Sequence, residues 1–419
     1  MTESDNRSRR IRIWDSGPFR RLWFVGLAGS LGLWTVQIGL TVAVLAEHSG
    51  STLAWLLLAG TVPGLLAGPV AGAVVDHVEP RLAAGVALAV QAVLIMGMAV
   101  SLSQSLIAVA GCNAICSIAA QFPPLALQRL RYALLDERQW PLANAAVSRI
   151  MAITTILGAV AGSGVSDLGA LPVFGFACGL QVLGAFVVWR MPVIGRMGLD
   201  TAAAPRRLQL GGGIAVLRRN RAARAVVALC TSWGLIGGGL TVLLGIFGTD
   251  LSGDGRGVAL LFTVYGAGLL VGTVLAGQLA ATTMRTHHLT AYLVQGVAWT
   301  SVAPLATLAV PLAIVLFIMG IAGGVIIGIE VTLLLRDVPR HLHGRVFSIY
   351  HLADGMSERT SLALVGAALA VLAPTTVVVI GGLASIAVAM LWSLGSRGGR
   401  RSSGLSTPPA GRMATDESG

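Results

Sequence analysis

Apolar residues in this chain gather in long unbroken runs, not in alternating or one-faced patterns. Six runs lie near residues 22–46, 52–75, 82–102, 105–127, 142–166 and 171–190. Six more lie near 225–248, 258–281, 289–308, 311–335, 346–372 and 375–395. Each is close to the roughly 20 residues that carry a helix across a bilayer. A helix apolar on every side belongs in a membrane or a large core. The pattern predicts an all-α membrane protein of twelve transmembrane helices. The first run is too long for a signal-peptide core and lacks a clear cleavage site, so it reads as an uncleaved span.

Composition agrees. Of 419 residues, 11% are charged, against about 25% in soluble domains. Glycine numbers 54, and small residues let helices approach closely in lipid. Disorder, a secreted disulfide scaffold, a coiled coil and a soluble enzyme all fit poorly. The net charge of +11 does not imply nucleic acid, because the basic residues sit in tails and loops between the runs. All 29 are arginine. With both tails and the even-to-odd loops assigned to the cytoplasm, 27 of them fall on that side. Arg256 lies in an opposite loop and Arg359 within a run. Positive loops face the cytoplasm, so both termini are expected inside a bacterial cytoplasmic membrane.

The polar stretches divide the chain. A cytoplasmic tail is expected over 1–21, one six-helix half over 22–190, a basic linker over 191–224, a second half over 225–395, and a disordered tail over 396–419. The halves repeat. Gly64-Leu65-Leu66-Ala67-Gly68 in span 2 matches Gly268-Leu269-Leu270-Val271-Gly272 in span 8. The offset of 204 residues also relates Gly162 to Gly366. Two pseudo-symmetric halves joined by a linker form the parallel-repeat plan of many secondary transporters.

Little other chemistry is signalled. Cys112, Cys116, Cys178 and Cys230 lie in apolar segments and read as small packing residues. His287, His288, His341 and His343 read as solvated loop histidines. Four-ligand metal spacing is missing. No phosphate loop of the GxxxxGK[ST] type, no HExxH and no GxSxG occurs. No cofactor or metal is expected.

Three stretches carry a family resemblance: Phe19-Arg20-Arg21-Leu22-Trp23, Leu65 through Asp76 with Arg81 following, and Pro339 through Gly344-Arg345-Val346. Over residues 15–395 the chain resembles the major facilitator superfamily, in particular its bacterial macrolide- and tetracycline-efflux exporters. The resemblance implies the major facilitator fold and a conformational latch in the span 2–3 loop formed by Gly68, Gly72, Asp76 and Arg81. Gly68 and Gly72, four apart, share a helix face suited to close contact. Asp76 sits on that face at the cytoplasmic end, with Arg129, Arg131 and the start of span 11 as partners to consider. His77 and Glu79 depart from the family pattern, and an ordinary solvated loop is the rival reading. The glycines Gly158, Gly162 and Gly164 in span 5 resemble an exporter motif without its proline. They fit small-residue packing equally well.

An ionisable group inside a span is costly and marks a functional hypothesis. Glu330 lies about 9 Å inside span 10, and Asp354 and Glu358 about 12 and 18 Å inside span 11, at 1.5 Å per residue. Arg359 follows directly. Spans 1, 4, 7 and 10 are expected to line the central cavity, which makes Glu330 the leading proton-coupling or substrate residue. Asp354, Glu358 and Arg359 are further candidates, with a structural ion-pair cluster as their rival. In the first half, Gln37, Asn113 and Gln121 are the polar candidates for lining the cavity, and Gln91 is a further polar residue within a span. Trp34, Trp55, Trp233 and Trp299 read as interface anchors or core residues before substrate contacts.

The resulting expectation is a proton-driven exporter of a small hydrophobic drug or secondary metabolite, embedded in lipid, powered by the proton gradient and functional as a monomer. A proton-coupled importer of the same fold is the alternative, and a membrane-embedded sensor a more distant one.

Overall fold

The computed structural model describes residues 13–135, 139–192, 220–279, 283–338 and 343–402. Each of the twelve apolar runs coincides with a helical segment, and the described residues contain no strand. In the first half these are α1 (Gly17–Glu47), α2 (Gly50–His77), α3 (Pro80–Ser101), α4 in two pieces (Leu106–Ala119 and Phe122–Leu134), α5 (Trp140–Ser163) and α6 (Ala170–Trp189). The second half has α7 in two pieces (Arg221–Gly237 and Leu240–Ser252), α8 (Gly255–Ala276), α9 (Met284–Leu305), α10 (Ala309–Asp337), α11 (His343–Ala368) and α12 (Pro374–Ser402). Ten of the twelve are long and apolar enough to cross a membrane. The other two are α9, which opens on Arg285, His287 and His288, and α11, which carries Asp354, Glu358 and Arg359.

Local sequence explains the breaks. Ser16, Ser49 and Ser105 accept backbone N–H groups at the starts of α1, α2 and α4. Asp254 caps α8 by accepting the Arg256 N–H at 2.8 Å, which holds its carboxyl below the usual carboxylate range. Pro123 and Pro124 open the second piece of α4. Gly238 and Gly239 separate the two pieces of α7. Gly253 ends α7 in the left-handed region at φ 72°, a conformation glycine takes without strain.

Helix pairing repeats every six helices. α1 packs on α5 as α7 packs on α11, α2 on α4 as α8 on α10, and α3 on α6 as α9 on α12. Across the halves, α2 meets α11 and α8 meets α5. This is the major facilitator fold. The halves join at the end carrying the α1–α2, α5–α6 and α7–α8 connections. There Ser51 Oγ donates to the Gly366 carbonyl (2.8 Å), and the Gly255 N–H donates to Ser166 Oγ (3.2 Å). A shared core mixes Ile38, Val42 and Ala159 with Leu243, Phe247 and Val258.

Two boundaries differ from expectation. α12 continues to Ser402, so the tail expected from 396 begins as helix, and α1 starts within the tail expected over 1–21. Residues 193–219 of the expected linker, 403–419 of the end tail, and 339–342, including Pro339 and His341, lie outside the described residues.

Candidate functional site

The span 2–3 connection is a bonded junction. Asp76 pairs with Arg129 Nη1 at 3.3 Å, and Arg129 also donates to the Val75 carbonyl. Arg81 donates to Glu79 at 2.6 Å and to the carbonyls of Met191 (2.9 Å) and Trp189 (3.3 Å), tying the start of α3 to the end of α6. All these partners belong to the first half, so in this conformation the junction braces one half internally. Of the considered partners it is Arg129 that engages Asp76; the Arg131 guanidinium lies over the Tyr132 ring at 5.5 Å.

The close helix contact expected at Gly68 and Gly72 is displaced by one turn and more. A Cβ added at Gly72 would meet nothing within 4 Å, and at Gly68 only Gln121 Oε1 at 3.9 Å. The tight crossing on α4 is at Gly64, where an added Cβ would lie 2.6 Å from the Ser117 carbonyl oxygen, and at Gly60, where it would run into the Asn113 side chain. Asn113 is thereby a packing neighbour, and Gln121 donates to the Ser117 carbonyl at 3.3 Å. Gln37 is half-buried on α1. The span 5 glycines serve packing in this state: a Cβ added at Gly158 would lie 2.5 Å from Trp34 Cβ, and one at Gly162 2.6 Å from the Thr35 carbonyl oxygen.

The ionisable cluster lies inside the second half. Glu330 of α10 is 2% exposed, and three side chains converge on its carboxylate. Tyr350 of α11 donates to Oε2 at 3.0 Å. His288 Nε2 (3.3 Å) and Tyr292 OH (3.2 Å), both from α9, reach Oε1. Tyr292 OH also lies 2.8 Å from the Leu229 carbonyl of α7. The Cys230 thiol donates to Asp354 Oδ1 at 3.5 Å. Residues four apart share a helix face, so His288 and Tyr292 project together, as do Tyr350 and Asp354.

Two expectations are corrected here. Glu330 does not line the central cavity: its carboxylate faces α9 and α11 and is sealed from solvent. His288 is not a solvated loop histidine but a helical residue, 2% exposed. His287 is exposed as expected, its Nδ1 at 2.8 Å from the Thr283 carbonyl. Cys230 does more than pack, since its thiol meets a carboxylate; Cys112, Cys116 and Cys178 are free and within apolar helices. His288, Tyr292, Tyr350 and Cys230 were missed. The signal available in the sequence was the i, i+4 pairing of polar residues in α9 and α11, opposite the acid in α10.

Asp354 and Glu358 part company. Asp354 faces α7, whereas Glu358 Oε2 pairs with Arg359 Nη1 at 3.1 Å, with side chains 41% and 26% exposed. The Arg359 guanidinium also donates to the Gly355 carbonyl, and Gly355 abuts Leu65 of α2. Glu358 and Arg359 thus form an ion pair at the seam between halves. Among the described residues, no group of three or more His, Cys, Asp or Glu is arranged to hold a metal ion.

Twelve helices paired as two repeats, with ionisable groups buried in the second repeat, define a polytopic membrane protein. A model of the Major Facilitator Superfamily matches residues 22–357. A Sinorhizobium fredii protein described as the uncharacterized MFS-type transporter y4rN is 28% identical over 266 residues, 60% of this chain. The match spans 64% of that relative's length. Among solved structures, a POT family transporter in complex with 5-aminolevulinic acid has a TM-score of 0.72 at 11% identity, covering 91% of this chain and 96% of that one. The nucleoside transporter NupG reaches 0.69 at 12% identity, covering 90% and 99%. A D-xylose-proton symporter reaches 0.69 at 14%, covering 88% and 96%. At these identities the likeness is one of fold. The chain belongs to the Major Facilitator Superfamily; it is a multi-span membrane transporter and not an enzyme.

Proposed function

We propose that the protein is a proton-driven secondary transporter that exports a small, largely apolar compound by alternating access. The observation that carries the reading is Glu330, an acid buried within a span beside a titratable histidine. A carboxylate in that position is expensive unless function retains it. Its three polar neighbours compensate the desolvation that an isolated charge would suffer. Binding and releasing one proton there, as the halves rock, links the proton gradient to substrate movement. No cofactor is needed, and the gradient supplies the energy.

The exporter direction rests on the resemblance of the span 2–3 loop to drug and metabolite exporters. The apolar character of the cargo rests on the scarcity of charge in the first half's spans. The proposed setting is the cytoplasmic membrane of a bacterium, with both termini inside and one chain as the working unit.

The test uses everted membrane vesicles with an acid interior. A panel of hydrophobic antibiotics and dyes is added and proton release is recorded, with Glu330→Gln alongside. Compound-dependent release in the wild type that Glu330→Gln abolishes is the expected result. Release that survives in Glu330→Gln moves the coupling site to Asp354 or Glu358. No release by folded wild-type protein, with proton-coupled uptake of the same compounds instead, overturns export in favour of import.

A further inference from the structure

The internal repeat provides a control for the buried cluster. Subtracting 204 from Cys230, His288, Tyr292, Glu330, Tyr350 and Asp354 lands on Gly26, Ala84, Leu88, Ala126, Ala146 and Ile150. The correspondence holds in space as well. Cys230 meets Asp354, and a Cβ at Gly26 would lie 3.2 Å from Ile150 Cδ1. Ala84, Leu88 and Ala126 pack together in one apolar cluster, as His288, Tyr292 and Glu330 meet in the other half. The fold therefore fills this position with hydrocarbon when nothing more is asked of it. Polar groups in the second copy are not a packing requirement.

Within that cluster, the Tyr292 hydroxyl is the group with two competing acceptors. It is buried at 1% exposure. Its single O–H can point at the Leu229 carbonyl (2.8 Å) or at Glu330 Oε1 (3.2 Å), but not at both. An ionised Glu330 can only accept, so it draws the Tyr292 O–H toward itself. A protonated Glu330 has its own O–H to place, and the Tyr292 oxygen is within reach as an acceptor. Tyr292 then turns its hydrogen to the Leu229 carbonyl. Either state leaves every one of these hydroxyl hydrogens bonded, which keeps both affordable in a buried site.

Leu229 lies on the first piece of α7, which packs on α11. Past the break at Gly238 and Gly239, the second piece of α7 contacts α1 of the other half so closely that a Cβ added at Gly245 would lie 2.4 Å from Thr41 Cγ2. We propose that Tyr292 is the positioning residue that reports the protonation of Glu330 to α7, making the bond to the Leu229 carbonyl when Glu330 is protonated and releasing it when Glu330 is ionised. This rests on the proton-coupling reading above and assigns the conformational end of the coupling to a tyrosine of α9. The titratable groups facing Glu330 are His288 and Tyr292 from α9 and Tyr350 from α11, with Cys230 of α7 and Asp354 of α11 adjoining.

The test needs no substrate. Backbone hydrogen exchange across Arg221–Gly237 is measured on the purified full-length protein at acidic and alkaline pH, after correction for the intrinsic pH dependence of exchange. The wild type is expected to gain protection in this segment at acidic pH. Glu330→Gln, whose amide can donate as a protonated acid does, is expected to hold the acidic level at both pH values. Tyr292→Phe is expected to lose the response while keeping a normal size-exclusion profile. If Tyr292→Phe does not fold, the triple change His288→Ala, Tyr292→Leu, Glu330→Ala installs the residues of the first repeat and is expected to be folded and pH-silent. A wild-type response that persists in Tyr292→Phe or in the triple variant overturns the proposal, as does a wild type without any response. Loss of the exchange response with vesicle proton release intact in Tyr292→Phe removes Tyr292 from the mechanism and leaves proton coupling standing. A wild type that shows the exchange response but no compound-dependent proton movement in either direction overturns the coupling reading instead.

Discussion

Gly72 and Gly268 occupy comparable stretches of α2 and α8, yet alanine should act on them in opposite directions. At Gly268 the new Cβ would lie 2.2 Å from the Phe317 carbonyl oxygen, where ordinary contact begins near 3.4 Å. That atom is backbone, so α8 and α10 must separate to admit it. Overpacking of this kind costs about 1–3 kcal/mol. The same Cβ at Gly72 meets nothing within 4 Å. There, alanine exceeds glycine in helix propensity by about 0.8–1.0 kcal/mol. Gly268→Ala should therefore lower the unfolding temperature of the detergent-purified protein, and Gly72→Ala should hold or raise it. Scanning fluorimetry on both variants and the wild type decides. Equal destabilisation by the two would refute the argument, because it would mean that Gly72 is as closely packed as Gly268. A stable Gly72→Ala protein with impaired transport would instead locate the close contact of the span 2–3 loop in another state of the cycle.

Two further outcomes are expected. Arg129→Ala removes the partner of a partly exposed carboxylate; such pairs contribute about 0–1 kcal/mol, so thermal stability should change little while vesicle transport slows, and a large fall in unfolding temperature with normal transport would contradict the latch role. Gly255→Val places a branched side chain where even a single added Cβ would lie 2.4 Å from the Ser163 carbonyl oxygen; it should prise the halves apart at the end where they join and increase labelling of a nearby introduced cysteine by a membrane-impermeant maleimide, and unchanged labelling would show that this end does not open there.

Much of the architecture was legible from the chain alone. Twelve apolar runs gave twelve helices because a bilayer demands about 20 apolar residues per crossing and leaves few alternatives. The 204-residue offset marked the repeat because Gly268 and Gly64 both carry tight helix crossings. The site was less legible. Glu330 stood out as an acid within a span, but its direction did not. Span 10 is expected at the cavity as a whole helix, which does not specify the face of Glu330, and that face turns to α9. His288 reads as a loop residue because the apolar run begins near Leu289, five residues after the helix itself. The helix starts at Met284, and that earlier start carries His288 into the protein.

Sequence by itself determined the membrane setting, the helix count, the repeat and the identity of the buried acid. These follow from local composition, because in hydrocarbon each backbone polar group must be satisfied within its own helix. Only the tertiary structure decided which groups surround Glu330, that Asp76 closes on Arg129 within one half, and that Gly60 and Gly64, not Gly68 and Gly72, make the close crossing. Those outcomes depend on the rotation and tilt of each helix against its neighbours. Side-chain packing sets both, and in a chain apolar on nearly every face no periodicity records them.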